Sequence, residues 1–174
     1  MQIIKRYATY FIFAVAFIVP LCLTANGQSK RNYEVLAESA LAKVVPTSFY
    51  FAGQSAETQM RNAAAAQIGR DRFVIAGLVD TSGYSTEISG KYEGFLITDS
   101  PINVGGKPLG TGAYGFGFSK EGKLNIFDLS SKQILSAPAK FDDGVRRPRP
   151  LEMVRADNGV KLYKGKSFVL ISPR

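Results

Sequence analysis

Arg146, Arg147, Pro148, Arg149 and Pro150 form the densest run of chemically competent side chains in this sequence, with Asp142 and Asp143 just ahead of them. Two prolines favour an extended, stiff backbone, so three guanidinium forks are offered at a reduced ordering cost. Such forks fit carboxylate, sulfate and phosphate oxygens. The run reads as an anion-binding loop. The competing reading is that Arg146, Arg147 and Arg149 pair with Asp142, Asp143 or strand carboxylates on an ordinary surface. A second polar cluster runs from Asp80 through Ser82, Gly83, Tyr84 and Ser85 to Glu87. Asp80 and Tyr84 are its binding candidates, with hydroxyl and carboxylate groups suited to sugar hydroxyls. The same residue types also build a turn that satisfies its own backbone. Glu93 lies in the strand expected at 92–98 and Asp80, Glu87 and Asp99 near strand ends, and two such acids about 5 or 9 Å apart could hydrolyse a glycoside.

What is missing narrows the chemistry further. The 174 residues contain no histidine, and the one cysteine, Cys22, lies inside an apolar N-terminal run. That excludes Ser-His-Asp and Cys-His catalysis and the usual zinc ligand sets beyond residue 27. No Ser-x-x-Lys spacing, Gly-x-Ser-x-Gly elbow or twelve-residue calcium loop occurs after the apolar run. Carboxylate and tyrosine acid-base chemistry survive. The sequence calls for no cofactor and no metal.

The apolar run itself states a compartment. Lys5 and Arg6 precede 17 residues from Tyr7 to Leu23, and Ala25 and Gly27 come next as the small residues a signal peptidase accepts. The expectation is a secretory signal over residues 1–27, cut before Gln28, with export to a periplasm or beyond the cell. A retained anchor is the alternative, at the short limit for spanning a bilayer. Leu21 and Pro20 ahead of Cys22 do not make a lipid-attachment site. Two of the 22 basic residues and none of the 14 acidic ones fall in 1–27, so the remainder carries +6. This favours an anionic partner, either a glycan, a lipid surface or a small ligand, although simple solubility accounts for it as well. Scattered lysines in an exported chain give no nucleic-acid footprint.

The elements that must position these residues read mainly as strands. Residues 28–32 are polar tail, and Leu36, Ala40, Leu41 and Val44 recur at helical spacing over 33–45, ahead of Pro46. An extended lead-in to the first strand is the alternative there. Beyond Pro46, strands are expected at 49–51, 73–79, 92–98, 113–118, 124–129, 151–155, 160–163 and 168–171. The unbroken apolar run 73–79 should be covered on both faces. One helical turn is expected over Ala63 to Ala66. Tyr114, Phe116 and Phe118 alternate with Gly115 and Gly117, so aromatics share one face and bare backbone the other. A two-residue loop at Glu121 and Gly122 would pair Phe118 with Asn125, Gly117 with Ile126 and Phe116 with Phe127. Either close packing or a ligand would account for the bare face.

Gly110, Gly112 and Gly115 satisfy Gly-x-Gly-x-x-Gly, but the residues after them alternate at period two and not as a helix, so no dinucleotide site is expected. The segment from Gly105 through Lys107, Leu109 and Gly112 to Tyr114 and Phe116 resembles the Gly-Gly-Lys-x-Leu-Pro-Ala-Gly-x-Tyr segment of exported bacterial β-domains of unknown function. Gly110 stands in place of that pattern's proline, and Thr111 in place of its alanine. The resemblance implies an exported bacterial setting and a turn leading into an inward-facing tyrosine strand. It implies no activity.

The whole reads as a signal (1–27), a tail with a short helix (28–46) and one all-β domain (47–174), an antiparallel β-sandwich or small β-barrel. The leading functional expectation is a non-catalytic, envelope-associated binding module, with Asp80, Tyr84, Arg146, Arg147 and Arg149 as site residues. A carboxylate-dependent glycosidase and a structural envelope component, pairing through an exposed strand edge, are the alternatives.

Overall fold

The computed structural model describes residues 33–174, so the signal expected over 1–27 and the polar tail at 28–32 lie outside the described residues. In chain order the elements are β1 (Tyr33–Val35), α1 (Glu38–Leu41), β2 (Ser48–Phe51), β3 (Gln54–Ile68), β4 (Arg72–Val79), α2 (Thr86–Ser89), β5 (Gly94–Thr98), β6 (Ile102–Val104) and β7 (Lys107–Leu109). They continue as β8 (Gly112–Phe118), β9 (Lys123–Phe127), β10 (Gln133–Pro138), β11 (Lys140–Phe141), β12 (Glu152–Ala156), β13 (Gly159–Lys164) and β14 (Ser167–Pro173). All pairings are antiparallel. The larger sheet runs β1-β3-β4-β5-β8-β9-β10 with β2 attached to β3, and the smaller runs β12-β13-β14-β6-β7 with β11 attached to β14.

The two sheets pack as a sandwich because each strand turns alternate side chains inward. Val74 and Ala76 of β4, Leu96 of β5, Phe116 of β8 and Ile126 of β9 meet Leu162, Val169 and Ile171 of the smaller sheet in one core. The opposite face of the larger sheet is also buried, by Phe49 and Phe51 of β2 together with Leu41, Val45, Tyr84 and Tyr92. β4 is therefore covered on both sides, as its apolar run requires. The sheets do not close into a barrel. Their edges approach where the Lys107 ammonium donates to the Ser136 carbonyl at 2.6 Å, yet β7 and β10 share no ladder.

Strands β6, β7, β10 and β11 are additions to those expected, and local detail differs from the sequence reading in further places. The short helix expected over 33–45 is confined to α1, and strand β1 precedes it. Ala63 to Ala66 belong to β3, where Ala64 and Ala66 enter the inter-sheet core and Ala63 and Ala65 the second core. The β8–β9 connection is a three-residue loop, 120–122, closed by Ser119 N–H donating to Lys123 O at 2.8 Å, with Gly122 left-handed at φ +71°. Every pair then slips by one, so Phe116 faces Ile126 and Gly117 faces Asn125. A one-residue slip exchanges faces, so Ile126 joins the sandwich core and does not cover Gly117.

The bare face is filled from within the fold. A Cβ on Gly115 would stand 2.3 Å from the Phe51 ring, and one on Gly117 would stand 2.0 Å from the Lys91 carbonyl oxygen. Gly110 and Gly112 lead into strand β8 and not into a helix, so the glycine pattern serves this close packing. The segment resembling exported β-domains forms the β6–β7 turn at Gly105 and Gly106, and Tyr114 packs against the inter-sheet core.

Candidate functional site

Residues 142–151 join β11 to β12 and carry the arginine run. Both ends of this loop are tied to the turn between β13 and β14. At the start, Asp142 N–H donates to Lys166 O at 3.0 Å, and the Tyr163 hydroxyl donates to Asp142 Oδ2 at 2.6 Å. The other carboxylate oxygen accepts from Gly144 N–H at 3.0 Å. At the end, Gly165 N–H donates to Arg149 O at 2.9 Å. The Tyr163 hydroxyl, then the Gly144 amide, hold the Asp142 carboxyl below the usual aspartate range, with Lys161 and Lys166 adding to the effect. Burial, and after it the bond to Asp142, pushes the Tyr163 hydroxyl up to about 12.

Asp142 is thus committed to the loop's own frame. Arg146, Arg147 and Arg149 are exposed. The ion pairs among the described residues are Lys91 with Glu87 and Lys164 with Glu93, so the pairing of these arginines with Asp142 or Asp143 does not occur. The three guanidinium groups are not equivalent. Arg149 lines a small pocket of about 120 Å³ together with Arg61, Glu38 and Glu152, a balanced set of charges. Arg146 and Arg147 do not line that pocket and make no ion pair among the described residues.

Beside the loop lies a cleft of about 740 Å³ between the β8–β9 turn and the β13–β14 turn, lined among others by Leu78, Phe118, Lys120, Pro150 and Ser167. Across it the Lys164 ammonium bonds Glu93 Oε1, while Glu93 Oε2 accepts from Phe118 N–H at 2.8 Å. Desolvation lowers the Lys164 pKa despite its partner. Glu93 is legible as a carboxylate in the strand expected at 92–98, although β5 begins one residue after it. Lys164 is not, because it stands 71 positions away in sequence and only the pairing of the sheets brings them together.

The remaining sequence candidates fall elsewhere. Asp80 accepts from Ser82 N–H at 3.0 Å, closing a turn on itself, and the Ser82 amide and hydroxyl lower its pKa. Tyr84 is buried in the second core, its hydroxyl donating to Gln54 O at 3.0 Å and its ring edge-on to Phe51 and Tyr92. The structure does not bring Asp80 or Tyr84 to the arginine loop through any shared contact. The four acids considered for glycoside hydrolysis are engaged separately: Asp80 by Ser82, Glu87 by Lys91, Glu93 by Lys164 and Phe118, and Asp99 by Phe73 N–H at 3.2 Å. Among the described residues no three acidic side chains converge as cation ligands would.

Compared with known proteins, the chain matches no protein family, no curated protein and no solved structure.

Proposed function

We propose that this chain is an exported, non-catalytic binding module of the bacterial cell envelope that holds an anionic partner at the basic end of its smaller sheet. One observation carries the reading. Arg146 and Arg147 stand exposed without a carboxylate partner, on a loop fastened at both ends to the β13–β14 turn. An arginine pair left unneutralised on a stiffened backbone is preorganised for anionic oxygens, since little ordering cost remains on binding. Lys140 and Lys166 flank the same loop and add to the positive field. The apolar run at 7–23, with Ala25 and Gly27 after it, supports export, as does the resemblance of residues 105–116 to exported bacterial β-domains.

The test is binding to a soluble polyanion, dextran sulfate, with uncharged dextran as control. The wild type should bind the sulfated polymer alone, and more weakly as salt rises. R146S/R147S should lose about tenfold in affinity, and R149S less, because Glu38 and Glu152 already share its pocket. Equal binding by the double variant and the wild type would discard the site, and indifference of the wild type to dextran sulfate would discard the function.

A further inference from the structure

The partner can be named more closely, resting on the reading above. Phe141 is 65 % exposed, more than any other large apolar side chain among the described residues. It immediately precedes Asp142, at the root of the arginine loop, and it is held in register opposite Ser167, with Lys140 opposite Phe168. The Lys166 ammonium lies 6.0 Å from the Phe141 ring centroid, while Lys161 stands 4.5 Å from the ring of Phe168, which shares the strand face of Lys140 and not that of Phe141. Lys140, Arg146 and Arg147 are exposed on the same short stretch of chain. Asp143 is exposed there too, while Asp142 already accepts from Tyr163 and Gly144.

We infer that this end of the molecule docks on an anionic lipid bilayer, with Phe141 entering the headgroup boundary and Lys140, Lys166, Arg146 and Arg147 lying against phosphates. A soluble polyanion would use the cations and gain nothing from an exposed ring. A bilayer uses both, since an aromatic side chain gains by leaving water at the interface and each nearby cation is drawn to the negative surface. The short strand β11 fixes the ring's backbone before contact, so insertion orders little that is not already ordered.

The chain contains no tryptophan, so F141W supplies a single indole at the proposed point of insertion. The full chain is mixed with vesicles of phosphatidylcholine, with vesicles of an equimolar phosphatidylcholine and phosphatidylglycerol mixture, and with dextran sulfate. Because every variant carries the same residues 1–27, the comparison of F141S and R146S/R147S with the wild type on the same vesicles cancels any contribution from Lys5, Arg6 and the apolar run at 7–23. We expect the F141W emission to shift to the blue, and to gain protection from a soluble quencher, with the phosphatidylglycerol mixture only. F141S should weaken sedimentation with those vesicles about tenfold while leaving dextran sulfate binding within about twofold. R146S/R147S should weaken both. Dextran sulfate binding with no emission shift on anionic vesicles would overturn the lipid inference and leave the binding module standing. No binding to either would remove both. An emission shift on raising protein concentration without lipid would show that a second copy covers Phe141, and would overturn the inference too.

Discussion

The Tyr163 hydroxyl joins the arginine loop to the smaller sheet, and its ionisation should be visible in stability. Its folded pKa is raised to about 12, above the ordinary tyrosine value of about 10. Between those values the folded state keeps a proton that the unfolded state gives up, so stability is complete below the lower value and falls as pH rises through the upper one. The urea midpoint is expected to drop between about pH 10 and 12, and Tyr163→Phe should flatten part of that drop. An unchanged slope in the variant would assign the alkaline loss to Tyr92, Tyr84 and Tyr114, whose pKa values burial also raises. Single side chains also show where the sequence stops being legible. The arginine run announces its chemistry by type and spacing alone. Tyr84 does not, because its hydroxyl acceptor is the Gln54 carbonyl, 30 positions earlier, and its ring is packed by Phe51 and Tyr92.

At the scale of elements, strands were readable wherever apolar runs were long enough to be covered, as in β4, β5 and β8. β3 was not. Its alanines have high helix propensity, yet small side chains are what a strand buried on both faces between close neighbours can hold, and tertiary burial overrides a preference of a few tenths of a kcal/mol. Its first half is polar and bends away where residues 59–62 face Leu78 alone, the gap being bridged by Gln59 Nε2 donating to Val79 O at 3.0 Å. The β8–β9 register missed by one because a loop of three residues with a left-handed glycine and a loop of two are equally compatible with the Lys-Glu-Gly sequence. Replacing a strand glycine by alanine ordinarily gains roughly 0.5 to 1 kcal/mol through chain entropy. In Gly117→Ala the new Cβ meets a backbone oxygen, Lys91 O, at 2.0 Å, and backbone cannot swing aside as a side-chain tip can. The overpacking cost should win, leaving a net loss of about 2 kcal/mol in urea unfolding. Gly83→Ala, where the nearest atom is Gln54 Oε1 at 4.0 Å, should fall within about 0.5 kcal/mol of the wild type. Equal midpoints for the two variants would mean that the Lys91 backbone does not press on β8 at Gly117.

For the whole molecule, the question is why a two-sheet sandwich without a disulfide among the described residues should hold a rigid basic end. The larger sheet gains burial on its outer face from the β2–β3 arm, which folds back over it. Phe51 is the centre of that cover: it is fully buried, stacks on Tyr92 with ring centroids 3.9 Å apart, and occupies the space above Gly115. Phe51→Ala should therefore cost about 4 kcal/mol, since no large side chain stands free to refill the space left between Tyr84, Tyr92 and Phe127. The loss should appear in the global unfolding midpoint if the arm and the sheet form one cooperative unit. Polyanion binding by the molecules still folded should be unchanged, because the arginine loop and the β13–β14 turn belong to the other sheet. Hydrogen exchange separates the alternatives. Faster exchange across both sheets would mean that the arm supports the entire sandwich. Faster exchange confined to residues 48–57, with the midpoint unmoved, would mean that the arm opens alone and that the inter-sheet core suffices to present the basic end.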